Sequence, residues 1–377
     1  MIKDLKEIRK QIDEVDRQLV ELYIERMNLA EQVAEYKIST GKKVFDKERE
    51  QSKIEQVTNM VEDAFLKKGV GELFDQLMSM SRKRQYQLLV QKGITSRHIF
   101  QEVETLVDKN MRIVFQGEEG ANTQIAMNAF FGDEVDSFHV ETWRDAMEAI
   151  KMGEADYAVL PIENSSAGIV SENYDLLVEY NYVIVGEQII KIDHCLLGLP
   201  DAKLSDLERI YSHPQALMQC NRYLEEHREW DKHSVKNTAI AAKKVKEDGL
   251  LCQAAIASEP NADIYGLNVL DREFQNNVNN STRFIIVTGR QIYQKDAQKI
   301  SICFEIPHAS GTLYRMLSHF IFNNLNLNKI ESRPIQGRMW EYRFFVDFDG
   351  NLKDGAVQNA LRGLNEEAEN LKILGNY

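Results

Sequence analysis

Arg26 occupies a position where its helix should carry an apolar residue. Apolar side chains recur at Ile8, Ile12, Val15, Leu19 and Leu22, then at Leu29 and Val33, in steps of four and three. That spacing predicts one long helix with a core-facing stripe, and the stripe runs through position 26. Lys37, eleven residues on, shares the face about 16 Å further along the axis. The bland explanation is that both cations snorkel to water or pair with helix carboxylates. Asp46, Arg49 and Glu50 open a second helix, and Ser81 and Gln85 are i,i+4 neighbours that face one way on a third. Arg9 precedes Arg26 by about 25 Å of helix, too far for the same small ligand. It could reach the ligand of a second copy if two long helices pack antiparallel. The set contains no nucleophile–base pair and no metal-ligand spacing. Arginines for carboxylates, with a lysine and a non-titrating amide as donors, suit a reaction that needs only positioning and charge stabilisation.

A second group lies in loops and at strand ends. Thr282 and Arg283 stand at the mouth of the buried-strand run Phe284-Ile285-Ile286-Val287. They read either as a turn followed by a snorkelling charge, or as a site for a small anion that must lose a hydroxyl. PIENSSAG (Pro161–Gly168), IDHCLL (Ile192–Leu197) and YSHPQALMQC (Tyr211–Cys220) also fall where α/β proteins place ligands. Each is weak alone: Asn164-Ser165 reads equally as a turn, His213-Pro214 as the opening of a helix, and His194 as a core histidine.

The elements that must position these residues divide the 377-residue chain. Residues 1–92 lack proline and read as all-helical; 93–110 read as a polar connector. From Met111 strands (MRIVF, YAVLPIENS, YVIVGEQII, HCLLGL, RFIIVTG) alternate with helices to about residue 290, an α/β pattern. Residues 297–377 read strand, helix, strand, strand, helix, strand, an α+β ferredoxin-like βαββαβ unit. The net charge of −13 argues against nucleic acid as a partner. Residues 1–92 carry 18 basic and 17 acidic side chains, so the rest holds 28 against 42, and an anion bound there needs locally placed cations. No apolar run is long enough to span a membrane, and the charged start MIKDLKEIRK has no secretory apolar stretch. Cys195, Cys220, Cys252 and Cys303 are widely spaced and read as buried small hydrophobes in a reducing cytoplasm, with no zinc or redox motif.

The segment IRKQIDEVDRQLVELYIERMNLAEQVAEYK, followed by DKERE and S-x-x-x-Q, resembles the all-helical chorismate mutase domain over nearly all of residues 1–90. The resemblance implies that Arg26, Arg49 and a partner copy's Arg9 hold the two carboxylates of chorismate. Lys37 and Gln85 would hydrogen-bond the ether oxygen, Asp46 and Glu50 would hold the hydroxyl or orient neighbours, and Ser81 would line the pocket. The four later stretches, taken in order from about Met111 to Gly289, resemble prephenate dehydratase, an α/β domain of two lobes. That implies a substrate with two carboxylates and a hydroxyl, Thr282 as donor to the departing oxygen, and Glu163, Asn164, Ser165, Ser212, His213 and Gln215 as pocket polar groups. Arg283 would either grip a carboxylate or fix the loop through an ion pair. The turn Gly117-Glu118-Glu119-Gly120-Ala121-Asn122-Thr123 departs from the family, which usually has an aromatic where Asn122 stands.

GTLYRML (Gly311–Leu317) and ESRPIQG (Glu331–Gly337) resemble an ACT-type regulatory domain. The implied effector is L-phenylalanine held between two such units. Gly311 would admit backbone, Leu313 would give apolar contact, and a loop of Glu331, Ser332, Arg333 and Pro334 would close the site. Thr312 replaces the family's usual alanine. Together the resemblances imply consecutive reactions without metal or organic cofactor, in a homodimer or higher oligomer. Two other readings are a preference for arogenate, and a non-catalytic α/β ligand-binding module fused to an active mutase.

Overall fold

The computed structural model describes residues 4–94, 99–107 and 110–377. Three helices come first: α1 (Leu5–Thr40), α2 (Lys47–Thr58) and α3 (Ala64–Gln91). Then follow β1 (Gln101–Val103), β2 (Arg112–Gln116), α4 (Asn122–Phe131), β3 (Asp136–Val140), α5 (Trp143–Lys151), β4 (Tyr157–Asn164), β5 (Gly168–Ile169), α6 (Ser171–Tyr180) and β6 (Val183–Lys191). The chain continues through β7 (Cys195–Gly198), β8 (Arg209–Ser212), α7 (Pro214–Gln219), α8 (Asn221–Glu226), β9 (Asp231–Ser234), α9 (Thr238–Asp248), β10 (Gln253–Ala257), α10 (Pro260–Tyr265) and β11 (Asn268–Arg272). It ends with β12 (Ser281–Thr288), β13 (Ile292–Gln294), β14 (Lys299–Glu305), α11 (Thr312–Phe322), β15 (Leu327–Pro334), β16 (Tyr342–Asp349), α12 (Gly355–Glu367) and β17 (Glu369–Asn376).

These elements gather into two compact units. One holds residues up to His98 together with Gln298–Lys372; the other holds Ile99–Ala297 and Ile373–Tyr377. The helical region therefore shares a unit with most of the C-terminal segment, which the sequence pattern alone does not reveal.

In the first unit, side-chain caps fix the helix starts. Asp46 accepts from the Arg49 N–H (3.1 Å) at α2, and Asp63 from the Leu66 N–H (2.8 Å) at α3. Gly41, at φ 67°, ends α1 in the left-handed conformation that glycine adopts without strain. Within one chain α1 meets α3 along only part of its stripe. Ile12, Val15, Leu19 and Leu22 remain more than half exposed, Leu22 at 62 %. The C-terminal strands lie in the order β15–β16–β14–β17, and Phe320 of α11 packs edge-on against Phe348 of β16 at 5.0 Å.

The second unit is built on two sheets. Parallel β3, β2 and β4 are joined by antiparallel β12 and β6 in one sheet; the other has the order β11–β7–β10–β8–β9. The chain crosses between the sheets twice, after β6 and before β12. The first sheet's core is Ile113, Phe115, Tyr157, Val159, Val185, Phe284 and Ile286; alanine-rich β10 and α9 let the second sheet pack closely. The connector, read as a polar one, contains β1, which pairs in parallel with β13. Phe100, Val103 and Leu106 pack on the first core, because a few spaced apolar side chains suffice to anchor a short strand. Cys195, Cys220 and Cys303 are buried, Cys252 is partly exposed, and all four are free thiols. No helix among the described residues is long and apolar enough to cross a membrane.

Candidate functional sites

A cavity of about 360 Å³ opens among α1, α2 and α3. Arg26 and Lys37 from α1, Asp46, Arg49 and Glu50 from the start of α2, and Ser81 and Gln85 from α3 all line it, over a floor of Ala30, Val33 and Met78. The Arg26 guanidinium donates to the Leu77 carbonyl (2.8 Å) and to the Ser81 hydroxyl. Ser81 donates in turn to Leu77 O (2.8 Å). Lys37 Nζ donates to Val44 O at 2.5 Å. Burial lowers the Lys37 pKa, opposed by the fields of Asp46, Glu366 and Glu50. Burial likewise lowers that of Arg26 and raises that of Glu50, the latter opposed by Arg82, which donates to the Glu50 carboxylate. Gln85 spends its Nε2 on Ser81 O (3.2 Å), while its Oε1 is buried with no hydrogen-bond partner. A cleft that holds desolvated cations, a neutral amide and an oriented hydroxyl is organised for an oxygen-rich anion. Arg9 is exposed on α1 and does not line this cavity.

In the second unit a cavity of about 440 Å³ lies between residues of the two sheets. Thr282 lines it and is only 9 % exposed. Asn164 sets the orientation of its hydroxyl. The Asn164 carbonyl accepts from the Ser166 and Ala167 N–H groups (3.0 and 2.9 Å), which turns its amide to donate to Thr282 Oγ1 (2.9 Å) and Asn280 Oδ1 (2.9 Å). With one lone pair so engaged, the Thr282 hydroxyl proton is free to point into the cavity. His213 caps α7, its Nδ1 accepting the Gln215 N–H at 3.2 Å, so the ring proton sits on Nε2. Burial lowers the His213 pKa and keeps the ring neutral.

Arg283 does not enter the cavity. Neighbouring strand residues face opposite ways, so with Thr282 inward Arg283 points to the far side. There it pairs with Glu187 (2.7 Å) and Glu163 (4.0 Å) and donates to the Tyr377 hydroxyl (2.7 Å). Arg283 is thus held in an ion pair outside the cavity lining, with Glu163 on the same side. Ser165 braces β4 against β12, accepting from the Ser281 N–H at 2.9 Å. Ser212 is fully buried and donates to Ile256 O (2.6 Å). Neither serine is among the residues lining the cavity.

The cavity carries Trp143, Lys236 and Asn237, which no motif announced, beside His194 and Gln219 from the IDHCLL and YSHPQALMQC stretches. The cation expected here is Lys236, which pairs with Glu141 at 3.4 Å; the helix dipoles at the N-terminal ends of α4 and α9 add to it in favouring carboxylates. No side chain caps α4, whose first residues, Asn122 and Thr123, face the cavity. The turn before α4 needs its glycine: Gly120 has φ 84°, and a Cβ there would fall 2.2 Å from Asn261 Oδ1.

At the C-terminal unit Gly311 takes φ 77° before α11, and the Thr312 hydroxyl turns back to the carbonyls of Pro307 (3.1 Å) and Ala309 (2.8 Å). Glu331, Ser332, Arg333 and Pro334 form no loop. They belong to β15 in register with β16, because IESRP alternates half-buried and exposed side chains as an outer strand does.

Two families match this chain in turn: chorismate mutase type II over residues 8–86 and prephenate dehydratase over residues 113–292. A bifunctional chorismate mutase/prephenate dehydratase of Aquifex aeolicus is 31 % identical over 100 % of this chain and 98 % of its own length. An Arabidopsis thaliana protein named arogenate dehydratase/prephenate dehydratase 2 is 36 % identical over 77 % of this chain and 78 % of its own. A crystal structure of Arthrobacter aurescens prephenate dehydratase in complex with L-Phe aligns with TM-score 0.64 and 32 % identity, covering 71 % of this chain and 89 % of that one. The chain belongs to the bifunctional chorismate mutase/prephenate dehydratase family. It is a two-reaction enzyme that rearranges chorismate to prephenate and converts prephenate to phenylpyruvate, which sets aside a non-catalytic α/β module.

Proposed function

We propose that the helical cavity is the mutase site and the Thr282 cavity the dehydratase site. What carries the first assignment is the meeting of Arg26, Lys37, Asp46, Arg49, Glu50, Ser81 and Gln85 from three helices in one cleft. Arg26 and Arg49 hold the carboxylates. Lys37 and Gln85 stabilise the negative charge that gathers on the ether oxygen as the C–O bond breaks and the new C–C bond forms. Asp46 and Glu50 hold the substrate hydroxyl or orient neighbours, and no covalent intermediate is needed. In the second site the substrate carboxylates face Lys236 and the helix ends. The Thr282 hydroxyl hydrogen-bonds to the departing hydroxyl and relays to it a proton taken from solvent, so that it leaves as water while the ring carboxylate leaves as carbon dioxide. The electron pair of the broken C–C bond completes the aromatic ring, so the step needs no oxidant. Asn164 positions Thr282, and His213 and Gln215 complete the polar lining.

The exposed α1 stripe supports a dimer in which a second copy covers it and sends Arg9 into the mutase cavity. Chains carrying Arg9→Ala or Arg26→Ala should each be inactive as mutases. Mixed and reassembled, they should regain about a quarter of the parental activity, since a two-fold pair then holds one intact site in each heterodimer. Absence of any recovery removes the shared site.

The residues from 297 onward, with strand order β15–β16–β14–β17, are read as a ferredoxin-like, ACT-type sensor. L-Phenylalanine would bind at Gly311 and Leu313, beside the strand carrying Glu331, Ser332, Arg333 and Pro334. The phenylalanine-bound Arthrobacter relative supports this ligand. A time course from chorismate, resolving prephenate and phenylpyruvate, tests the whole reading. Both products should form in sequence, and added L-phenylalanine should suppress phenylpyruvate. Undiminished phenylpyruvate at saturating L-phenylalanine rejects the sensor. The Arabidopsis relative's name favours including arogenate in the same assay: faster turnover of arogenate than of prephenate would reassign the second substrate.

A further inference from the structure

Arg82 belongs to no motif, yet it is 3 % exposed and lies at the back of the helical cavity. Its guanidinium is forked. One arm donates to Glu50, a lining residue of that cavity; Nε donates to Glu367 of α12 at 3.0 Å. Glu367 also accepts from His319 Nε2 of α11 at 3.1 Å. Burial alone would raise the Glu367 pKa, but His319 and Arg82 outweigh it and hold the group below the usual carboxylate range. The Arg82 guanidinium carbon lies over the Phe45 ring, 4.9 Å from its centroid. Next to it Tyr86 OH donates to Glu366 (2.8 Å), which also accepts the Phe45 N–H (2.7 Å), and Lys83 donates to Ser318 (2.9 Å).

A carboxylate largely withdrawn from water and facing a dianionic substrate, as Glu50 is with its side chain 19 % exposed, does not hold its place and its charge unaided. Glu50 receives both from Arg82, and Arg82 receives its orientation from a residue of the C-terminal segment. We infer that Arg82 and Glu367 are positioning residues for the mutase reaction, so that α12 is a working part of the mutase site. The inference rests on the reading of Glu50 as a mutase residue. Lysine at position 82 would keep the charge but could not serve both carboxylates with a planar fork.

The test uses the full chain with Glu367→Gln, which keeps shape and an acceptor but removes the charge. Arg82→Lys serves as a second variant should the first fold poorly, and Ser318→Ala as a neighbouring control that does not touch Arg82. Mutase kcat should fall roughly tenfold to a hundredfold in Glu367→Gln and in Arg82→Lys, as expected when a supporting group shifts catalytic geometry. Mutase KM should move much less, dehydratase kcat/KM should stay within about twofold, and Ser318→Ala should match the parent. Placed in a Glu50→Gln chain, Glu367→Gln should cost nothing further, because the group it positions is already gone. Full mutase activity in Glu367→Gln, equal loss of both activities, or multiplying losses in the double variant would overturn the inference. A fully active Glu50→Gln chain would overturn the underlying reading of Glu50 as well, which keeps the two failures apart.

Discussion

Thr282→Ala is expected to lower the dehydratase kcat by roughly a hundredfold to a thousandfold, the cost of losing one donor aimed at a developing negative oxygen. The effect should fall on kcat and leave KM close to its parental value. In the proposed site the substrate's grip would come from its carboxylates at Lys236 and the helix ends, whereas the hydroxyl would act on the oxygen as it departs. Thr282→Ser restores the oxygen and its proton but not the methyl group that limits rotation, so its rate should lie between. Mutase activity, measured on the same preparation, reports that the chain is folded. A Thr282→Ala chain that still makes phenylpyruvate at near-parental rate would remove Thr282 from the reaction and turn attention to the neutral His213 as the donor.

Gln85→Glu should make the mutase depend on acid. Gln85 is buried and shares its cavity with Glu50. A carboxyl placed there meets desolvation and a like charge, both of which raise its pKa. Ionised, it can only accept a hydrogen bond and repels the ether oxygen; protonated, it donates as the amide does. Mutase kcat should therefore fall by roughly a hundredfold above the new group's pKa, the scale of a lost donor, and climb as the pH is lowered through it. The parent, with an amide at that place, should show no such acid gain. The check is a pH–rate profile of both chains on chorismate. Parallel profiles would mean that Gln85 does not donate to the reacting oxygen.

Periodicity made the helical site far more legible than the α/β one. Along a helix, spacing alone fixes direction, so Arg26 on an apolar stripe, Lys37 three turns later and the Ser81–Gln85 pair already imply a shared cleft. Arg9 shows where that logic stops within one chain, since what it faces depends on whatever covers α1. In the second unit, short motifs near strand ends locate the region but not the direction of each side chain. The alternation of Thr282 and Arg283 was available as a signal: two neighbours on one strand cannot both face one cavity. Trp143, Lys236 and Asn237 come from elements far from any motif and meet the others only through the two-sheet arrangement. The Asn237 N-cap, accepting the Ile240 N–H at 2.7 Å, was the one local hint that a helix end stood ready there. Arg82 escaped notice because its meaning lies almost 300 residues away, at Glu367.

The cysteines have a practical consequence. Thiol-directed reagents attack the thiolate. Burial raises the pKa of Cys195 and Cys303 to about 11 and that of Cys220 to about 12, so these three stay protonated and shielded near neutral pH. Cys252 is partly exposed where the chain enters β10, its carbonyl accepting the Glu208 N–H at 2.9 Å. The native chain thus carries its own attachment point for a fluorescent or spin label, in the turn that leads into β10 and outside the lining of either cavity, with no residue exchanged to create it.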